Sequence, residues 1–581
     1  MPKLSEYELE RQANIAKNRA LLEELDLTGV AAKLGLPSGS SKNTAKEKSK
    51  AKPVQPAKKV KRERDEVVAP RRQSSRLKRE VVDPDESPSK RRKREEEAKA
   101  QRQKEEEARL EAEERAREAR RPRHYDLDLQ TLGDEMSTEE MSGLKDCFDL
   151  LAANPNARRV GKLSDFVFDD DKREKAEVTQ LRESFSKLKV VSRAKVTQDR
   201  IYSAAYHPEK TKDLIFFGDK HGQLGIWDAR APQDDVEDED GQLVSPDERE
   251  GGKYWRLQPH WPATSKSSVS TVKFDPIDAH SVFTSAYDCT IRCLSLTSGI
   301  SREIYATDDI LISSLDLPPT GQEMWVSDAD GGLTHLDLRE GKSRTRRWEL
   351  SQQKIGCVSI NPTFPTTLLT ASNDRTLKVW DARKLQEMPL TELAPGSTTP
   401  SPSARRVGSD KPLTSDMPIL SDFGAVEEFK SSKKGSGTLR CQYPHDKSVS
   451  SAYWDPRGRN IVSTSYDDNL RIWDIGAKLT STLSGPFKPF ARMHHNCQTG
   501  KWLTILKAQW SPNSDVFPHF TIGNMNHSLD IITCNGEHVG RLSDRERITA
   551  VQAVTCSHPG VVQRVASGNA SGRCVLWAPE C

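Results

Sequence analysis

Over the last two thirds of the chain, apolar and polar positions alternate in short runs separated by polar turns. Leu368 to Arg383, LLTASNDRTLKVWDAR, shows the unit. A first run ends at the turn Ser372-Asn373-Asp374, and a second alternates through Leu377 and Val379 to close on Trp380-Asp381. Period-two alternation bounded by turn residues predicts paired, half-buried β-strands. Ahead of residue 189 the pattern changes to helical. Leu4 to Leu27 carries Leu9, Ala13, Ala16 and Ala20 along one stripe, with Ser5 and Glu8 as a capping box. Ser137 and Glu140 form a second box, opening a helix through Leu151.

The strand unit recurs seven times. Its closing positions are Trp227, Leu294, Leu336, Trp380, Trp473, Ile532 and Trp577, with spacings of 67, 42, 44, 93, 59 and 45. Six copies carry a single-Pro turn between their first two strands, from His207-Pro208 to His558-Pro559, and one has Pro318-Pro319. The shorter spacings match a repeat of roughly 40–45 residues, and the longer ones need insertions. The chain thus resembles the WD-repeat family, which implies an all-β, seven-bladed propeller over 189–581. Each copy ends at its third strand. The last blade then takes its fourth strand from Lys189–Val196, ahead of blade one, which removes the exposed edge.

Charge divides the chain. Residues 1–124 carry 34 Lys/Arg against 24 Asp/Glu, whereas the rest is net negative. The expected divisions are an amphipathic helix (1–34), a disordered basic tail (35–94), a charged helix held by i,i+4 pairs (95–124) and a helical lead-in (125–188). Lys58, Lys59, Lys61 and Arg62, with Lys90, Arg91, Arg92, Lys93 and Arg94, are candidate nuclear import signals. The insertions 231–251, with nine acids, and 391–437, rich in Ser, Thr, Pro and Gly, are expected to be disordered. Ten cysteines without CxxC pairs point to buried thiols, not a metal site, and no apolar run reaches membrane-spanning length.

Residues at one repeat position become a ring on one propeller face. Just before the first strand of most blades stands a base: Arg200, Lys266, Lys354, Lys447, Lys501 and Arg547. Blade three has Asp308-Asp309 instead, and turns opening on the same face add Lys220 and Arg375. Such a ring suits phosphate contacts, which position a duplex without reading its sequence. The alternative is the ordinary preference of loops for Lys and Arg.

Three segments, ANIAKNRALLEELDL, PRRQSSRLK and CQTGKWLTILKAQWSP, resemble the fungal DNA damage-binding WD-repeat proteins of the changed-mutation-rate type. That family is related to the smaller subunit of the vertebrate UV-damaged-DNA-binding complex. The resemblance implies a nuclear protein that binds single- and double-stranded DNA and prefers UV-damaged DNA. In the vertebrate relative a hairpin inserts Phe-Gln-His at the lesion, and the matching place here reads Gly500-Lys501-Trp502. Trp502 either stacks on an unpaired base or packs between blades at a strand end.

Two WDxR boxes, with Asp228 and Arg230 and with Asp381 and Arg383, fit propellers that dock on the adaptor of cullin–RING ubiquitin ligases. The rival function is accordingly a chromatin or ubiquitin-ligase scaffold. No phosphate-cradling Gly loop, nucleophile elbow or carboxylate pair is evident, so neither an enzyme nor a cofactor or small-molecule substrate is expected.

Overall fold

In the computed structural model, seven four-stranded antiparallel meanders surround a central channel, with extra strands added to one of them. The described residues are 124–154, 174–232, 250–339, 345–388, 390–392, 406–407, 419–475 and 487–580. The expected segments before residue 124, with both candidate import signals, lie outside them, as do residues 233–249 of the acidic insertion.

The first blade comprises Ile201–Tyr206, Leu214–Asp219, Leu224–Asp228 and Lys253–Leu257, from the channel outwards. The last blade is closed by Lys189–Lys195, which runs antiparallel to Arg573–Ala578 with Lys189 opposite Ala578. This outer strand ties the beginning of the propeller to its end and leaves no blade short of a partner. All seven closing positions are buried, the aliphatic replacements Leu294, Leu336 and Ile532 as well as the four tryptophans. Large apolar side chains at this place hold each blade against its neighbour. Val554 and Cys556 of the last blade, for example, share a cluster with Phe217 and Trp227 of the first.

In six blades the channel strand has a register shift at its second residue, as between Ile201 and Ser203 or Val449 and Ser451. A bulge leaves one residue unpaired and bends the strand. Tyr202 is that residue in blade one.

The lead-in covers the propeller's side. Leu144, Cys147, Phe148 and Leu151 of helix Thr138–Ala152 are buried in one cluster with Trp255 and Phe274 of the first two blades. Val178, Leu181 and Phe185 of helix Glu174–Ser186 share another with Leu529, Val539 and Trp577. The Ser137 side chain accepts from the Glu140 amide and Glu140 reaches back to the Ser137 amide, at 3.2 and 2.8 Å. Ser137→Ala should lower stability by about 1 kcal/mol, read as a reduced thermal midpoint.

One expectation needs correction. The insertion 391–437 is not disordered throughout, because Ile419–Ser421 pairs in parallel with Arg346–Glu349 and Phe423–Ser431 is a helix capped by Asp422. Val426 is fully buried beside Trp348 and Trp380, with Phe429 packed against them. A Ser/Thr/Pro-rich average over the insertion concealed this apolar stripe. Among the described residues no helix is long and apolar enough to cross a membrane.

Candidate nucleic-acid interface

In an antiparallel meander, the segments entering the first strand and the turns between second and third strands open on the same face. All seven of those turns hold a residue with positive φ: Gly222, Cys289, Gly331, Arg375, Asp468, His527 and Gly572. Arg375 (φ 71°) thus places a cation where glycine would be the unstrained choice. Its side chain is exposed, as are those of Lys266, Lys447 and Lys501, while Lys220 is half-buried.

Other members of the expected ring are already engaged. The Arg200 guanidinium donates to the Lys501 carbonyl at 2.9 Å and lies 5.5 Å from the Tyr202 ring centroid. Lys354 donates to the Tyr287 hydroxyl at 2.8 Å and sits 4.7 Å from that ring's centroid. Arg547 donates to the Val190 carbonyl on the closing strand, 3.2 Å away, so it belongs to the outer rim and not to the channel mouth. The structure therefore ties Arg200 to the backbone of the loop that carries Lys501 and Trp502, and couples Lys354 to Tyr287. Lys266, Arg375 and Lys447 remain as exposed cations around the face.

Sequence reasoning missed Tyr202 and Tyr287. A repeat-position signal existed for Tyr287: Ser-Ala-Tyr-Asp and Thr-Ser-Tyr-Asp place Tyr287 and Tyr466 at equivalent turns. Tyr202 becomes special only through the bulge.

The loop carrying Trp502 is fastened at both ends. Upstream, Asp468 accepts from the Cys497 amide (2.9 Å) and the Gln498 side chain (3.1 Å), and its carbonyl accepts from the His495 amide (3.0 Å). His495 pairs through Nε2 with the Gly523 carbonyl at 2.8 Å, which makes that nitrogen the donor. Burial lowers the His495 pKa and favours the neutral ring. Downstream, the Thr504 hydroxyl donates to the Ile201 carbonyl of blade one at 2.5 Å, and Arg200 holds the Lys501 carbonyl. Between these anchors Gly500 turns with φ 59°. Trp502 projects at 85% exposure, the most exposed large apolar side chain among the described residues. It is not the packing residue between blades that the sequence also allowed.

The WDxR residues lie at the ends of third strands, on the opposite face. Asp228 accepts from Lys212 at 3.1 Å, and Arg230 pairs with buried Asp213 at 2.6 Å. Asp381 accepts from the Arg383 amide and guanidinium and from Arg440, which together hold its carboxyl down at about 2 against the opposing effect of burial. Both aspartates are thus fastening points of the fold, and Arg383 alone of the two arginines is largely exposed.

Residues 344–381 and 437–474 match the model for the WD domain, G-beta repeat. Each stretch ends on the Trp-Asp of a third strand, at Trp380-Asp381 and Trp473-Asp474. The chain is 38% identical to DNA damage-binding protein CMR1 of Cryptococcus neoformans var. neoformans serotype D, over 98% of both chains. It is 32% identical to the protein of that name in Mycosarcoma maydis and 33% to that in Emericella nidulans, each over 99% of both chains.

Proposed function

The chain belongs to the family of fungal proteins named DNA damage-binding protein CMR1, and from that membership we propose a non-catalytic, nuclear DNA-binding protein that prefers UV-damaged DNA. The observation that carries this reading is Trp502, exposed on a loop fastened to two blades and flanked by Arg200 and Lys501. An aromatic tip held in place loses little conformational freedom on binding, and beside cations it meets bases while they meet phosphates. A base with weakened stacking or pairing costs less to displace, so such a tip favours lesions without reading sequence. Single strands fit the same face, because stacking and backbone charge need no duplex.

The test is a titration of the full-length protein against intact and UV-irradiated duplex and against single strands, at several salt concentrations. Tighter binding to irradiated duplex supports the reading. Equal, weak binding to both duplexes at low salt would instead favour the scaffold function.

The basic segment 41–94 has 20 Lys/Arg and 8 Asp/Glu and is proposed to serve nuclear import and non-specific affinity. Its deletion should lower nuclear accumulation and binding to all DNA while leaving the ratio of damaged to intact affinity unchanged. Imaging of a tagged chain and parallel titrations check the two halves. Loss of that ratio with the tail would remove the propeller as the reader.

A further inference from the structure

We propose that the channel mouth holds a phosphomonoester in a cavity built around Lys507, and that a terminal phosphate of a DNA strand is its occupant. The inference rests partly on the DNA-binding reading above.

Burial alternates along the chain from Ile505 to Trp510. Its even positions, Leu506, Ala508 and Trp510, are buried in the blade core, while Ile505, Lys507 and Gln509 line the channel. Alternation of this kind sends successive side chains to opposite sides. Lys507 therefore projects into a cavity of about 70 Å³. Tyr202, Ser270, Ser314, Tyr453 and Thr555, drawn from five blades, line it as well, with the Ser270 and Thr555 hydroxyls turned to the Ser285 and Thr521 carbonyls.

The charges in this cavity do not cancel. Lys273 also lines it, but Lys273 pairs with Asp316. Among the described residues no carboxylate pairs with Lys507, and Lys354, held on Tyr287, is a cation that acts on it. Burial lowers the Lys507 pKa, Cys357 and Tyr287 partly offset this, and Lys354 adds to it. Lys507 is half-buried, and an ammonium partly withdrawn from water is favoured when an anion joins it. The Tyr202 and Ser314 hydroxyls can supply further donors to an anion's oxygens.

Size and position select the anion. Ligand pockets for drug-sized molecules run from about 300 Å³ upward, so no nucleoside fits, whereas a phosphate does. A phosphodiester needs room for the chain on both sides, whereas a phosphomonoester ends there. The mouth opens beside Arg200, which lies over Tyr202, on the face that carries Trp502. Lys507 follows Trp502 by five residues, at most about 18 Å of extended chain. A strand stacked on Trp502 can bring its end to the cavity.

The experiment uses the full-length protein and its Lys507→Met variant. One arm measures thermal midpoints with and without millimolar inorganic phosphate, against equal ionic strength of chloride. The other compares oligonucleotides of one sequence whose ends carry phosphate or hydroxyl. The expected result is a phosphate-dependent rise in midpoint for the wild type only, with about tenfold tighter binding of phosphate-ended strands. That ratio should fall to unity in Lys507→Met. Lys507→Gln replaces the methionine variant if the latter does not fold.

A phosphate-dependent rise without any end preference would support the phosphate site and make the free anion its source. No rise and no end preference would overturn the proposal. If DNA binding is absent but the rise persists, the DNA-binding reading fails and the anion site stands. If damaged DNA binds through Trp502 while both phosphate arms are flat, the reverse holds.

Discussion

Trp502→Ala is expected to lower affinity for damaged DNA by about 1–3 kcal/mol, a factor of about 5 to 150, through loss of one stacked base. Intact duplex should be affected far less, because its bases remain paired and stacked within the helix. The thermal midpoint should be unchanged. At 85% exposure the indole buries little against the protein, and the loop's anchors at Asp468, Thr504 and Arg200 do not involve it. Titration of both duplexes and one melting curve on the same variant decide the matter. Undiminished damage preference in a stable variant would sink the wedge role and leave the cation face, or another loop, as the reader.

The second large effect concerns that face. Lys266, Arg375 and Lys447 are exposed, in contrast to half-buried Arg200 and Lys354, each of which donates a hydrogen bond inside the protein, while Arg547 is tied to the outer rim. Removing the three exposed cations together, as Lys266→Gln, Arg375→Gly and Lys447→Gln, should reduce the salt slope by about 2.7, at about 0.9 for each phosphate left unneutralised. The affinity that salt removes between about 50 and 200 mM would then shrink about fortyfold. Damaged and intact duplex should weaken alike, because phosphate contacts carry no information about bases. Glycine at 375 suits the positive φ of that turn, so folding should not suffer there. An unchanged slope in the folded variant would move the phosphate contacts to other residues.

The two variants probe separable properties. The cations set how strongly any polyanion is held and how steeply salt weakens it. The tryptophan sets the difference between two DNAs of the same charge. A protein that loses one property and keeps the other assigns each to its residues.

The number of blades, their order and the strand that closes them were legible in the sequence, because each depends on a local pattern repeated at a fixed place. An alternating run ending on a buried Trp or aliphatic residue reports a third strand whatever surrounds it, and seven such runs leave little freedom in topology. The face bearing the cations was legible for the same reason, since turn position within a repeat determines the end of the blade on which a residue emerges.

What tertiary structure decided was which side chains remain available. Arg200 and Arg547 occupy the same repeat position as Lys266 and Lys447, but carbonyls brought near by chain closure and by a neighbouring loop take up a donor of each. Those carbonyls belong to residues 301 and 357 positions away in sequence, which no local pattern reports. Helix Phe423–Ser431 was concealed in the same manner, since Val426 and Phe429 matter only once Trp348 and Trp380 stand opposite them. Trp502 shows the limit most directly. An aromatic residue at the entrance to a strand is compatible with burial or projection, and the choice depends on anchors from blades five and one that lift the loop away from both. Periodicity determines which elements form and how they stack, whereas the partner found by a single polar or aromatic side chain depends on the distant segments that the closed ring brings beside it.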